Sequence, residues 1–96
     1  MRPHGLRGFE SLALRIFYYA YILKSEYHGT YYYGSAKDVE ERLQDHNAGK
    51  QRYTKGRRPW KIHYTEAFKT RSEARKREAF FKSIDGYVWL KEHGII

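Results

Sequence analysis

Two tyrosine-rich runs, Phe17 to Lys24 (FYYAYILK) and Gly29 to Gly34 (GTYYYG), lie only four residues apart. Aromatic and branched residues suit a pleated, half-buried surface. A connection that short cannot carry a parallel crossover, so the runs predict an antiparallel hairpin. With Ser25 to His28 as the turn and Gly29 helping to close it, Tyr21 is expected opposite Tyr32. A slip of one residue would turn each side chain to the other face.

The rest of the chain adds helices around a third strand. Ser35 or Asp38 can cap a first helix, and Asp38 with Glu41 forms a capping-box pattern. Val39 and Leu43 supply its inward stripe, and Gly49 stands where a C-terminal stop belongs. Residues 47–60 (NAGKQRYTKGRRPW) read as a basic, glycine-containing loop, and Ile62 to Phe68 alternates as a strand should. Thr70 and Glu73 mark the start of a second helix, with Ala74 and Phe81 inward. Asp85 is expected to cap a short last helix carrying Val88, Trp89 and Leu90. The predicted class is α+β, a three-stranded antiparallel sheet flanked by helices in the order ββαβαα. Residues 1–16 are expected to be a poorly ordered extension, and 17–96 the domain.

With 96 residues there is room for one small domain. A core of that size must rely on a few large side chains, and aromatics at 18% of the chain provide them. Absence of cysteine excludes disulfides and thiolate metal sites. The histidines have no ligand-like spacing for a zinc site. The longest apolar run is too short to cross a bilayer and residues 1–16 lack a signal-peptide core, so a cytoplasmic, non-membrane protein is expected. Nineteen Lys and Arg against eleven Asp and Glu leave +8 at neutral pH, which favours a polyanionic partner. Charge alone does not separate nucleic acid from a membrane surface or an acidic protein.

Tyr19-Ala20-Tyr21 followed by Tyr32-Tyr33-Gly34 resembles the paired signature of the GIY-YIG nuclease superfamily. Asp38 to Leu43 with His46-Asn47 is similar to that family's arginine-bearing helix, and Ala74 to Glu78 to the helix carrying its metal-binding glutamate. Thr54 to Trp60 resembles the small stand-alone members of the UPF0213 kind. The likeness runs from about residue 17 to the C-terminus, and extends to the nuclease domain of the excinuclease C subunit. Ser35 stands where larger members have a lysine, and no asparagine follows Glu78.

The resemblance implies an endonuclease that hydrolyses phosphodiester bonds in DNA with one Mg²⁺ or Mn²⁺, in repair or recombination. Tyr21, Tyr32, Arg42, His46 and Glu78 are its implied catalytic residues, with Glu78 the metal ligand. Tyr21 is the first candidate for general base, which a phenol of ordinary pKa near ~10 can be only beside a cation. Arg42 offers a planar fork to the scissile phosphate. Arg42 and His46 are four apart and share a helix face. Each residue also has a plainer reading: Tyr21 and Tyr32 as ordinary strand tyrosines, Arg42 paired with Asp38 or Glu41, His46 ending its helix, Glu78 paired with Lys82. Lys50, Arg52, Lys55, Arg57 and Arg58 are expected to hold nucleic acid, RNA being open as well as DNA, while Gly34 and Trp60 are structural. A repair-complex partner or a second copy could supply targeting. The alternative function is a nucleic-acid-binding module of the same fold that does not cut.

Overall fold

The computed structural model describes residues 17–96; the expectation for residues 1–16 lies outside them. Strands β1 (Tyr18–Ser25), β2 (Tyr31–Ala36) and β3 (Trp60–Phe68) form one antiparallel sheet in the order β2-β1-β3. Helix α1 (Val39–Asn47) follows β2, and a one-turn helix α2 (Arg52–Lys55) interrupts the segment expected to be a loop. After β3 come α3 (Arg71–Phe81) and α4 (Ile84–Glu92). The α+β class and its major order ββαβαα hold, with α2 as an addition.

Strand β1 is central because both of its faces are apolar. Tyr21 and Leu23 enter a core with Val39 of α1 and Trp60, while Ala20 and Ile22 enter a second core with Phe81 and Leu90. β3 serves both cores through a bulge: Leu23 pairs with Ile62, but Ile22 pairs with Tyr64. The extra residue, His63, lets Ile62 face α1 while Tyr64 faces α3 and α4.

The hairpin register differs from expectation. Tyr21 pairs with Gly34, and Tyr32 pairs with Leu23. The reason lies in Ser25, which remains in the strand and pairs with Trp60 instead of opening the turn. Its buried hydroxyl donates to the Arg57 carbonyl at 2.6 Å and accepts from the His28 amide at 2.9 Å. The turn therefore moves one residue on, closed by Gly29 N–H to the Ser25 carbonyl, with Gly29 at φ +71°. Moving a turn by one position shifts the register by two, so every side chain keeps its face. Tyr21 and Tyr32 remain neighbours, with ring centroids 6.4 Å apart.

Asp38 caps α1 by accepting from the Glu41 amide, and Thr70 caps α3 by accepting from Glu73. The last helix begins earlier than expected: Ser83, not Asp85, is its cap, accepting from the Gly86 amide at 3.0 Å. A Cβ on Gly86 would lie 1.7 Å from the Phe80 carbonyl oxygen, so the α3–α4 corner is tight enough to start α4 almost at once. Among the described residues no helix is long and apolar enough to cross a membrane.

Candidate active site

The site begins with a lack of bulk. The Tyr21 ring crosses over β2 at Gly34, where an added Cβ would lie 2.5 Å from both its Cζ and its hydroxyl. Gly34 is required here by space. Tyr21 is 1% exposed. Its phenol is pushed well above its ordinary pKa, by burial first and then by Tyr32; Arg42 pulls it down, and Glu78 and Asp45 add to the rise. Arg42 and Glu78 reach this one hydroxyl electrostatically from α1 and α3, which pack on opposite faces of the sheet.

Tyr32 and His46 stand beside Tyr21. Their rings are 4.5 Å apart, and Tyr53 and Trp60 close the other sides of Tyr32 at 6.3 and 6.4 Å. His46 is buried, with Nδ1 2.9 Å from the Thr54 hydroxyl. That hydroxyl donates to the Gln51 carbonyl at 3.4 Å, so it accepts from Nδ1–H and leaves the Nε2 lone pair as the acceptor. Burial lowers the His46 pKa, Arg42 lowers it further and Asp45 opposes both, so the ring is neutral at neutral pH. Thr54, on α2, therefore orients the histidine. Sequence reasoning missed it, because a single threonine in a four-residue helix leaves no periodic signal.

Arg42 is exposed and forms no ion pair with Asp38 or Glu41, which removes its plainer reading. For Glu78 the plainer reading holds: Oε2 accepts from Lys82 Nζ at 2.8 Å. Oε1 accepts from the Ser35 hydroxyl at 2.7 Å. Ser35, the departure from larger relatives, thus ties the carboxylate to β2 one residue beyond Gly34. Among the described residues no three His, Asp or Glu side chains gather as metal ligands. One carboxylate suits an ion that keeps most of its waters, as Mg²⁺ does, and not a closed cage.

The five cations of the basic segment divide. Lys50 pairs with Asp45 at 3.1 Å. Arg57 donates to the Tyr53 carbonyl and lies 4.4 Å over that ring, while Arg58 donates to the Lys55 carbonyl at 2.7 Å. Arg52 and Lys55 are exposed, and their side chains form no hydrogen bond or ion pair among the described residues. Trp60 is buried and donates from its indole to the Thr54 carbonyl at 2.8 Å. Asn47, the chain's single asparagine, accepts from the Trp60 amide at 2.7 Å and donates to its carbonyl at 3.0 Å. It clamps α1 to β3.

The family of the GIY-YIG catalytic domain matches residues 17–85. The chain belongs to the GIY-YIG family. Its signature segments occupy the middle of β1 and of β2, where Tyr21 and Gly34 pair. The chain is 45% identical over 75 residues to a UPF0213 protein of Staphylococcus saprophyticus, covering 77% of this chain and 90% of that one. A UPF0213 protein of Listeria welshimeri is 47% identical over 81 residues, covering 78% and 89%. The solution NMR structure of a UPF0213 protein from Bacillus halodurans aligns at 34% identity with a TM-score of 0.47, covering 79% of this chain and 83% of that one.

Proposed function

We propose that this GIY-YIG domain is a divalent-metal-dependent endonuclease acting on DNA in the cytoplasm, in repair or recombination. The observation that carries the reading is the buried Tyr21 phenol lying over Gly34, with the Glu78 carboxylate tied by Ser35 to the next residue of the same strand. Phosphodiester hydrolysis needs charge stabilisation on the phosphoryl oxygens and control of a proton. Arg42, with no carboxylate partner among the described residues, presents its fork to the non-bridging oxygens. Tyr21, protonated in the resting protein, donates a hydrogen bond to phosphate or water, and its high pKa weakens its standing as general base. His46, neutral with Nε2 open, is the group in the right state to accept a proton, and Tyr32 in ring contact lies between the two. Glu78 is the residue that would hold one Mg²⁺ or Mn²⁺, which when bound neutralises phosphate charge and acidifies water.

A second reading, a module that binds without cutting, is favoured by the Glu78–Lys82 pair, which engages the one carboxylate a cation would need. In either case a repair-complex partner or a second copy would supply targeting. Supercoiled plasmid incubated with Mg²⁺, Mn²⁺ or EDTA separates the readings. Metal-dependent nicking that disappears in Glu78→Ala and drops in Tyr21→Phe supports the enzyme. Nicking of equal rate in both variants defeats the site, and salt-sensitive binding without nicking in all three proteins supports the module.

A further inference from the structure

The basic run Arg75-Lys76-Arg77 on α3 is not one feature. Arg77 is consumed by the fold: its Nε donates to Glu66 at 2.7 Å, and its guanidinium lies 4.5 Å from the Trp89 ring and 4.7 Å from the Phe80 ring. Arg75 and Lys76 are exposed and have no carboxylate partner among the described residues. Helical spacing puts Arg71, Arg75 and Glu78 on one line. Because Glu78 bonds Ser35 of β2, that line borders the strand over which the Tyr21 ring lies at Gly34. At its far end Arg71 lies 5.0 Å from the Tyr18 ring, and Lys37, just beyond β2, reaches the same ring at 5.6 Å. Arg71, Arg75 and Lys76 also line one shallow surface groove.

The placement along the strands is informative. Tyr18 precedes Tyr21 by three residues, ~10 Å at ~3.3 Å per residue. Ser25, which bonds the Arg57 carbonyl beyond α2, follows Tyr21 by four residues, ~13 Å on the same rise. The site thus sits between two cationic ends, with Arg52 and Lys55 of α2 at one and Lys37, Arg71, Arg75 and Lys76 at the other. At ~3.4 Å per nucleotide, the stretch of β1 from Tyr18 to Ser25 matches roughly seven nucleotides of one strand.

We propose that Lys37, Arg71, Arg75 and Lys76 form a second phosphate-backbone site, holding nucleic acid on the side of the scissile bond opposite the α2 segment. The inference rests on the nuclease reading only for its substrate class, nucleic acid. The site reads charge and not sequence, since its one aromatic, Tyr18, is capped by cations and not open for base stacking.

The test is fluorescence anisotropy of a labelled 24-base-pair duplex in EDTA, across a series of salt concentrations. It compares the parent with Arg71→Gln/Arg75→Gln/Lys76→Gln and with Arg52→Gln/Lys55→Gln. Each lost phosphate contact lowers the slope of log affinity against log salt by about 0.9, so the triple variant should lose about 2 to 3 units. Arg75→Gln/Lys76→Gln, which leaves the Tyr18 contact intact, should lose somewhat under 2 by the same rule. Circular dichroism checks that each variant is folded. An unchanged slope in both α3 variants, with a reduced one in the α2 variant, overturns the second site and leaves the nuclease reading standing. No salt-sensitive binding by the parent overturns both.

Discussion

The two faces of the sheet are built to different rules. On the α3–α4 face the polar groups are matched. Glu66 takes two donations from Arg77 and one from Tyr64, and the surroundings are Phe80, Phe81, Trp89 and Leu90. On the α1 face polar side chains are packed with fewer partners. Tyr21 and His46 are each 1% exposed, yet neither the Tyr21 hydroxyl nor His46 Nε2 has a hydrogen-bond partner among the described residues. The one fully buried polar side-chain atom without a partner among the described residues is the Thr30 hydroxyl, just before β2. One face stabilises, and the other holds the groups that the proposed reaction uses.

The sharpest way to break that contrast is truncation on each face. Phe81→Ala should destabilise by about 3–5 kcal/mol, the usual cost of emptying an aromatic core position. In chemical denaturation it should move the midpoint strongly, while nicking per folded molecule stays near the parent's. Glu78→Gln should do the opposite: nicking falls by roughly 10²–10³, the scale for losing one group that stabilises transition-state charge, with little change in midpoint. A large midpoint loss in Glu78→Gln would mean that the Ser35 and Lys82 contacts are structural first.

Gly34→Ala sits between the two. The methyl must displace the Tyr21 ring, so a loss of about 1–3 kcal/mol should accompany a loss of nicking. If Gly34→Ala is as active as the parent, the placement of the Tyr21 hydroxyl is not what the reaction needs.

The smallest effect is in pH. The folded His46 pKa lies below its ordinary 6.5, so the unfolded chain binds the proton more readily. Its stabilising contribution is present above pH 6.5 and is lost as pH falls through the folded value. Tyr64 has the opposite sign: burial and the bond to Glu66 push it up to about 12 from 10, so its contribution is present below pH 10 and is lost as pH rises towards 12. Thermal melts should therefore show an acid limb that weakens in His46→Gln and an alkaline limb that weakens in Tyr64→Phe. Limbs unmoved by either change would detach these groups from their faces.

Much of this was readable in the chain before it folded. The hairpin, both principal helix starts and the third strand followed from residue type and period, because those are local preferences. Asp38 and Thr70 act at the positions their spacing implied. The start of α4 was less legible, since Asp85 and Ser83 are both good caps and only the contact of Gly86 with Phe80 decides between them. The five site residues were named through a family likeness carried by short, separated motifs. No periodicity could have paired Ser35 with Glu78, 43 positions apart.

Local chemistry thus sets which segments are strand or helix and which residue types are at hand, because those depend on neighbours within a few positions. Three-dimensional packing decides the rest. The buried Ser25 hydroxyl, held by Arg57 from a distant segment, moves the turn and puts Gly34 beneath Tyr21. Likewise Arg77 is bound inward by Glu66 while Arg75 and Lys76 stay in solvent. Burial and partners are properties of the assembled faces, so the same residue types serve as core, as site or as surface according to where the chain brings them.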